Sequence, residues 1–310
     1  MNPKRPPSTI PLDRLRARAL ESLQPLLALA LEEDVGPGDL TSDVLVDAET
    51  AARAEMVARD GGAVAGLALV PSICRRVDER LSVRRVVDDG TRVVRGDVLC
   101  RIAGPVRPLL TVERTLLNFV QALSGIATYT ARFVERVVHT GAVILDTRKT
   151  TPGWRYLEKY AVRMGGGTNH RTGLYDGVLI KDNHVAVRAT EPVGETVAGL
   201  VREARERAGA GIPIGIPIQV EVERLDYLEK VLAAEPDVVL LDNMKPHRLR
   251  EAVRRRDRMF GDAGPALEAS GSITLRNVRT VAETGVDRIS VGALTHSAPV
   301  LDISLDVQRD

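Results

Sequence analysis

Between Asp146 and His184 the chain concentrates side chains able to grip an anion. Asp146-Thr147-Arg148-Lys149-Thr150-Thr151-Pro152-Gly153 is followed by Gly165-Gly166-Gly167-Thr168-Asn169-His170-Arg171, and then by Ile180-Lys181-Asp182-Asn183-His184. These 39 residues hold Arg148, Lys149, Arg155, Lys159, Arg163, Arg171, Lys181 and two histidines against four acidic side chains. Lys+Arg number 43 and Asp+Glu 42 overall, so the concentration is local and not the mark of a basic protein. Cations set among glycines and flanked by apolar runs predict a pocket for a small, highly anionic ligand. Arg forks would bind its carboxylates or phosphates through paired hydrogen bonds.

Further along the chain the chemistry changes sign. Glu221 and Asp242 are hard oxygen donors that suit Mg²⁺, an ion that keeps waters and bridges substrate phosphates. Ser270-Gly271 and Gly292-Ala293 are turns whose backbone N–H groups could cradle a phosphate. There is no H-E-x-x-H motif, no cysteine cluster and no G-x-x-x-x-G-K-[ST] loop. The set fits a phosphorylated sugar meeting a carboxylated partner. Each group also has a bland reading: Arg148-Lys149 as a solvated loop, His170 as a structural histidine, Gly165 to Gly167 as a flexible loop. Glu221 and Glu223, alternating with Val220 and Val222, could be one wet strand face. The bland readings lose because the groups recur at the same relative place in successive units.

Those units are legible in the apolar pattern. Residues 11 to 34 read as a helix, with Leu12, Leu15, Leu20, Leu23, Leu26, Leu27 and Leu31 at helical intervals, stopped by Pro37-Gly38. From about 51 to 110 short runs at Ala54 to Ala58, Ala63 to Leu69, Val83 to Val87 and Val98 to Ile102 predict β-hairpins. The stretch Asp89 to Leu99 has the spacing of a biotinyl or lipoyl carrier, but residues 51 to 112 contain no Lys to carry the group. Thr111 to Thr140 reads as one long helix with Gly125 its weak point. Strands are then expected at Val143 to Leu145, Gly177 to Ile180, Ile216 to Val222, Val238 to Leu241, Ala266 to Ala269 and Arg288 to Val291. Helices are expected at Glu195 to Ala208, Leu225 to Ala234, Pro246 to Arg258 and Thr274 to Thr284. This alternation predicts a parallel sheet closed or nearly closed into an α/β barrel, with a doubly wound open sheet as the alternative. No G-x-G-x-x-G follows a first strand, which weakens a dinucleotide reading. In a barrel, Arg148, Lys149, Lys181, Glu221, Asp242, Ser270 and Gly292 would meet at the C-terminal rim.

The rest of the composition narrows the class. Aromatic residues make up 3%, too few for the stacking platforms that bind single-stranded nucleic acid. Cys74 and Cys100 lack metal-ligand spacing and read as core residues in a reducing compartment. Met1 to Ile10 lacks the apolar stretch of a secretory signal, and no run approaches the ~18 apolar residues of a membrane span. A soluble, cytoplasmic protein is expected.

Collinear blocks then carry a resemblance. Glu33 to Thr41 (EDVGPGDLT), Thr111 to Asn118 (TVERTLLN), the blocks from Asp146 to His184, Val239 to Asn243 (VLLDN) and Val291 to His296 (VGALTH) resemble the quinolinate phosphoribosyltransferases. These are also called nicotinate-nucleotide pyrophosphorylases (carboxylating). The resemblance implies an N-terminal α/β sandwich over residues 1–117 and an incomplete, seven-stranded barrel of TIM type over 118–292. Residues 293–310 would return to the first domain. It implies conversion of quinolinate and phosphoribosyl pyrophosphate to nicotinate mononucleotide, pyrophosphate and CO₂ with Mg²⁺, in NAD synthesis. By position, Arg148, His170, Arg171 and Lys181 match the groups that hold quinolinate, and Arg114 the arginine a neighbouring subunit supplies in a homodimer or dimer-based hexamer. Lys149, Glu221 and Asp242 match the catalytic, phosphoribosyl pyrophosphate and metal site, and Ser270, Gly271 and Gly292 the ribose-phosphate cradle. Ser272 stands where the family usually has a second Gly. A paralogous phosphoribosyltransferase of the molybdenum-transport-associated type is the rival enzyme reading, and a non-catalytic phosphometabolite binder the rival from another class.

Overall fold

Leu15, Ala19, Leu23 and Leu27 recur at every fourth position and are the residues that α1 (Leu12–Asp34) buries. Each buried Leu contributes on the order of 1.5–3 kcal/mol. The computed structural model describes residues 10–48, 50–188, 192–207 and 216–309. Most of the Met1 to Ile10 segment and of the Pro-rich 212–217 segment lies outside them, as does Ala208 at the end of an expected helix. After α1 come α2 (Leu40–Leu45), β1 (Ala51–Ala58), β2 (Gly62–Ala63), α3 (Val70–Val77), β3 (Ser82–Arg85), β4 (Arg92–Val93), β5 (Val98–Pro105) and α4 (Val106–Val137). The chain continues through β6 (Val143–Leu145), α5 (Arg155–Met164), β7 (Val178–Ile180), α6 (Asp182–Arg188), α7 (Val193–Glu206), β8 (Ile218–Val222) and α8 (Leu228–Ala233). It ends with β9 (Val238–Asp242), α9 (Pro246–Phe260), β10 (Ala266–Ser270), α10 (Val278–Ala282), β11 (Arg288–Ser290), α11 (Ala293–His296) and β12 (Ile303–Arg309).

The described chain divides into two compact units. One comprises, among the described residues, 10–48, 50–131, 149–167 and 294–309. Its sheet has the order β12-β1-β5-β3, with β1 antiparallel to both β12 and β5. Gly125 explains itself here, because a Cβ would lie 2.2 Å from the Pro299 carbonyl. Gly165 likewise lets α5 end against α4, where a Cβ would stand 2.3 Å from the Ala127 carbonyl. At least that glycine of the Gly165-Gly166-Gly167 run is therefore a packing contact. The expected strand Ala63 to Leu69 exists only at Gly62–Ala63. Beyond it the Leu67 and Ala68 amides donate to the Asp89 carboxylate at 2.8 and 3.1 Å, so a side chain replaces the ladder. Asp89 also accepts from the Tyr160 hydroxyl at 2.7 Å. Cys74 and Cys100 are free and buried, and burial pushes both thiols up to about 12, with Cys74 adding to the effect on Cys100.

The other unit, described over residues 132–148 and 168–188, 192–207 and 216–293, is an incomplete α/β barrel. Six parallel strands run in the order β6-β11-β10-β9-β8-β7, and Leu145 makes one further parallel bridge to Thr168. The expected strands are all present, shifted by at most two residues. α10 is shorter than the expected Thr274 to Thr284 helix, because Thr274 N donates to Asn277 Oδ1 at 2.7 Å and makes a turn first.

Strand register decides which side chains share a face. Glu268 pairs with Leu240 and Arg288, Glu221 with Leu240, and Ser270 with Asp242. Ile180 pairs with Val220, so the next residue, Lys181, falls level with Glu221. Since parallel partners point the same way, Gln219, Glu221, Asp242, Glu268, Ser270, Arg288 and Ser290 all lie on one face. The alternate positions Val220, Val222, Val239, Leu241, Leu267, Ala269 and Ile289 form the buried apolar face. Gln219 and Glu268 are buried too, so the polar side is not a solvated one.

Among the described residues no helix is long and apolar enough to cross a membrane.

Candidate active site

The C-terminal ends of the barrel strands gather the charges. Glu221 on β8, Asp242 at the end of β9 and Glu223 just past β8 offer carboxylate oxygens within 4.8 Å of one another. Three hard donors at that spacing fit a divalent cation with oxygen preference, as Mg²⁺ has. Glu223, which alternation allowed to be a wet strand position, thus belongs with the pair chosen from sequence. Lys181, directly after β7, places Nζ 2.5 Å from Glu221 Oε2.

The next corner is built around Asp146, fully buried just after β6. Its carboxylate accepts from Asn169 Nδ2 at 2.7 Å and from the His170 amide at 2.8 Å, fixing the segment that carries His170 and Arg171. His170 and Arg171 are both 6% exposed. Arg171 Nη1 donates to the Gly177 carbonyl at 2.8 Å, while its buried Nε has no hydrogen-bond partner among the described residues. Burial lowers the Arg171 pKa, and the nearby positive charge of Arg148 lowers it further, against a smaller opposing effect of Asp176. Two guanidinium groups repelling each other in a partly dry corner are what a dicarboxylate would relieve.

Behind the rim sits a pair that sequence reasoning passed over. Arg288 Nε donates to Glu268 Oε2 at 2.8 Å, with side-chain exposures of 6% and 0%. The other oxygen, Oε1, faces His170 Nε2 at 3.5 Å. Burial alone would raise the Glu268 carboxyl, but the His170 ring and the Arg288 guanidinium outweigh it and hold its pKa below the usual carboxylate value. The available signal was a single Glu in the otherwise small and apolar run Ala266 to Ser270, with an Arg opening the next strand.

At the β9 and β10 ends, Asn243 joins two elements. Its amide donates to the Ser270 carbonyl at 2.9 Å and its Nδ2 to Asp242 Oδ2 at 2.7 Å. Gly271, at φ +90°, leaves room for this, since a Cβ would stand 2.1 Å from Asn243 Oδ1. Ser272 follows at φ +52°, a left-handed conformation that favours Gly. Gly292 lies two residues past β11. The expected residues Arg148, His170, Arg171, Lys181, Glu221, Asp242, Ser270, Gly271 and Gly292 therefore all fall in the barrel unit. Lys149 and Arg114 fall in the other unit: both are exposed, Arg114 lies on α4, and the Lys149 carbonyl accepts from Thr295 Oγ1 at 2.7 Å.

Comparison with known proteins matches this arrangement to one family. Residues 39–124 match the quinolinate phosphoribosyl transferase N-terminal domain and residues 126–306 its C-terminal domain. The chain is 44% identical over 281 residues to the nicotinate-nucleotide pyrophosphorylase (carboxylating) of Mycobacterium leprae, covering 90% of this chain and 94% of that one. It is 41% identical over 285 residues to a probable enzyme of the same name from Bacillus subtilis, covering 92% and 93%. The structure of the nicotinate-nucleotide pyrophosphorylase from Francisella tularensis superposes with a TM-score of 0.84 at 35% identity, covering 93% of this chain and 97% of that one. Two domain matches that together span most of the chain, on a barrel whose strand ends carry the charges described, show that the chain belongs to the quinolinate phosphoribosyltransferase family.

Proposed function

We propose that this protein transfers the phosphoribosyl group of phosphoribosyl pyrophosphate to quinolinate with decarboxylation, yielding nicotinate mononucleotide, pyrophosphate and CO₂ for NAD biosynthesis. The observation that carries the reading is a buried Arg171 with an unpartnered Nε beside Arg148, on the same strand-end rim as three clustered carboxylates. Family membership supports it, and no observation favours the paralogous phosphoribosyltransferase or a non-catalytic binder.

In this reading Arg148, Arg171 and Lys181, with His170 beside them, hold the two quinolinate carboxylates, and Arg114 arrives from a neighbouring subunit. Lys149, Glu221 and Asp242 bind phosphoribosyl pyrophosphate, and Ser270, Gly271 and Gly292 receive its ribose phosphate. Glu221, Asp242 and Glu223 are the residues that would hold Mg²⁺. When bound, the metal supplies charge neutralisation for the departing pyrophosphate. The chain's own part is positioning: the cations fix the pyridine nitrogen toward the ribose C1, where bond formation follows pyrophosphate loss. As CO₂ leaves, the electron pair of the adjacent carboxylate bond stays at C2, stabilised by the pyridinium, and a proton from solvent completes the product. No covalent enzyme intermediate is needed, and catalysis rests on orientation and electrostatics. The working protein is a homodimer or an assembly of dimers in the cytoplasm.

The test is CO₂ release from labelled quinolinate by the purified protein with Mg²⁺. Release only when phosphoribosyl pyrophosphate is added, with nicotinate mononucleotide as product, supports the assignment. No release under any condition, or release without the sugar phosphate, overturns it.

A further inference from the structure

His170 has both ring nitrogens turned toward protein groups. Nδ1 accepts the Arg171 backbone N–H at 2.8 Å, so it carries no proton, and the ring proton resides on Nε2. Nε2 faces Glu268 Oε1 at 3.5 Å; that fully buried oxygen makes no close hydrogen bond, and the nearby Ser290 hydroxyl is the other polar group acting on the carboxylate. The second Glu268 oxygen is engaged by Arg288 Nε at 2.8 Å from the adjacent strand. The result is a buried line Arg288–Glu268–His170–Arg171, ending at the cation whose Nε is unpartnered. Apo contacts of this length commonly tighten once ligand is bound.

We infer that Glu268 is a positioning residue for the quinolinate subsite: anchored by Arg288, it selects the Nε2–H form of His170, and that ring in turn fixes the backbone from which the Arg171 guanidinium projects. The inference rests on the assignment of quinolinate as substrate. It gives the buried pair a task that packing alone would not require, since a hydrophobic pair of similar volume could fill the same space.

Glu268→Gln makes a specific test because it inverts polarity at one atom. Arg288 still demands an acceptor, so the Gln carbonyl turns to it and the amide NH₂ is left facing His170. Nε2 must then accept, the ring proton moves to Nδ1, and the Arg171 amide loses its acceptor. Quinolinate affinity, measured by calorimetry on the folded full chain, should fall tenfold or more. The KM for phosphoribosyl pyrophosphate should stay within twofold. Independently of any variant, ¹⁵N spectra of the wild-type protein should report His170 with Nε2 protonated and Nδ1 bare. Unchanged quinolinate affinity in the folded Glu268→Gln variant, or a wild-type His170 protonated on Nδ1, overturns the inference while leaving the substrate assignment intact. Absence of quinolinate binding by the wild-type protein overturns both.

Discussion

Lys181 Nζ stands 2.5 Å from Glu221 Oε2, pairing a cation assigned to the carboxylated ring with a carboxylate assigned to the metal side. The pair is set by register, since Lys181 continues β7 beside the β8 position of Glu221. In the proposed function quinolinate would compete with Glu221 for the ammonium, and a metal with Lys181 for the carboxylate. Lys181→Met should weaken quinolinate binding by about 10- to 150-fold, the equivalent of one charge-assisted contact of roughly 1.5–3 kcal/mol. Glu221→Ala should instead lower kcat strongly and leave quinolinate affinity unchanged or improved, because the lysine is released. Calorimetry beside steady-state kinetics separates the two, and equal losses in both variants would contradict the assigned division of labour.

Arg171 is the cation least open to conservative replacement. Nη1 is committed to the Gly177 carbonyl, and Nε points elsewhere without a partner. A lysine offers one head group on a flexible stem and cannot serve both directions. Arg171→Lys should fold, keep its KM for phosphoribosyl pyrophosphate, and lose about tenfold or more in quinolinate affinity. A binding isotherm that matches the wild type would show that the fork is not used.

How much of this was legible in the sequence follows from periodicity. The barrel strands read correctly because each is a short, mostly apolar run ending at a charged, polar or Gly residue, and a parallel sheet brings those ends to one rim. Ala63 to Leu69 misread because it is uniformly buried but leaves the ladder after Val64, where the Leu67 and Ala68 amides turn to the Asp89 carboxylate. The Glu268–Arg288 pair was missed because its partners lie 20 residues apart on neighbouring strands, and opposite charges that cancel leave no local excess. Asn243 lies within the block Val239 to Asn243, but its task depends on the Ser270 carbonyl and the bare Gly271, which only the fold brings to it.

Ser272 is a place where this chain can be improved. At φ +52° it sits in left-handed backbone, which costs a non-Gly residue roughly 1–2 kcal/mol. Ser272→Gly relieves that strain, offset in part by the greater freedom of glycine in the unfolded chain. The contact this residue makes in the turn, Asn277 Nδ2 to its carbonyl at 2.9 Å, is backbone and survives. A rise in Tm of about 2 °C is expected from a net gain below 1 kcal/mol. The KM for phosphoribosyl pyrophosphate should stay within twofold, and a larger increase would reveal that the hydroxyl contacts the phosphate.

Asp39 gives the acid sensitivity a definite sign. It caps α2, accepting the Ser42 amide at 3.0 Å and the Ser42 hydroxyl at 2.6 Å, and it takes a weaker bond from Thr111 Oγ1 of α4 at 3.2 Å. The Ser42 side-chain and backbone hydrogen bonds lower its pKa, with Thr111 adding to them against a small opposing effect of burial. A carboxyl with a lowered folded-state pKa stabilises the protein fully above its unfolded value, near 3.9. That contribution fades as pH falls through the lower folded value. Asp39→Ala should cost about 1 kcal/mol at neutral pH, the usual cost of losing a helix cap. Asp39→Asn keeps a good cap but cannot titrate, so its stability deficit relative to the wild type should shrink as pH falls below the unfolded carboxyl value. Urea unfolding at several pH values measures that difference. A deficit that stays constant across the series would mean that the capping carboxylate contributes through geometry alone and not through its charge.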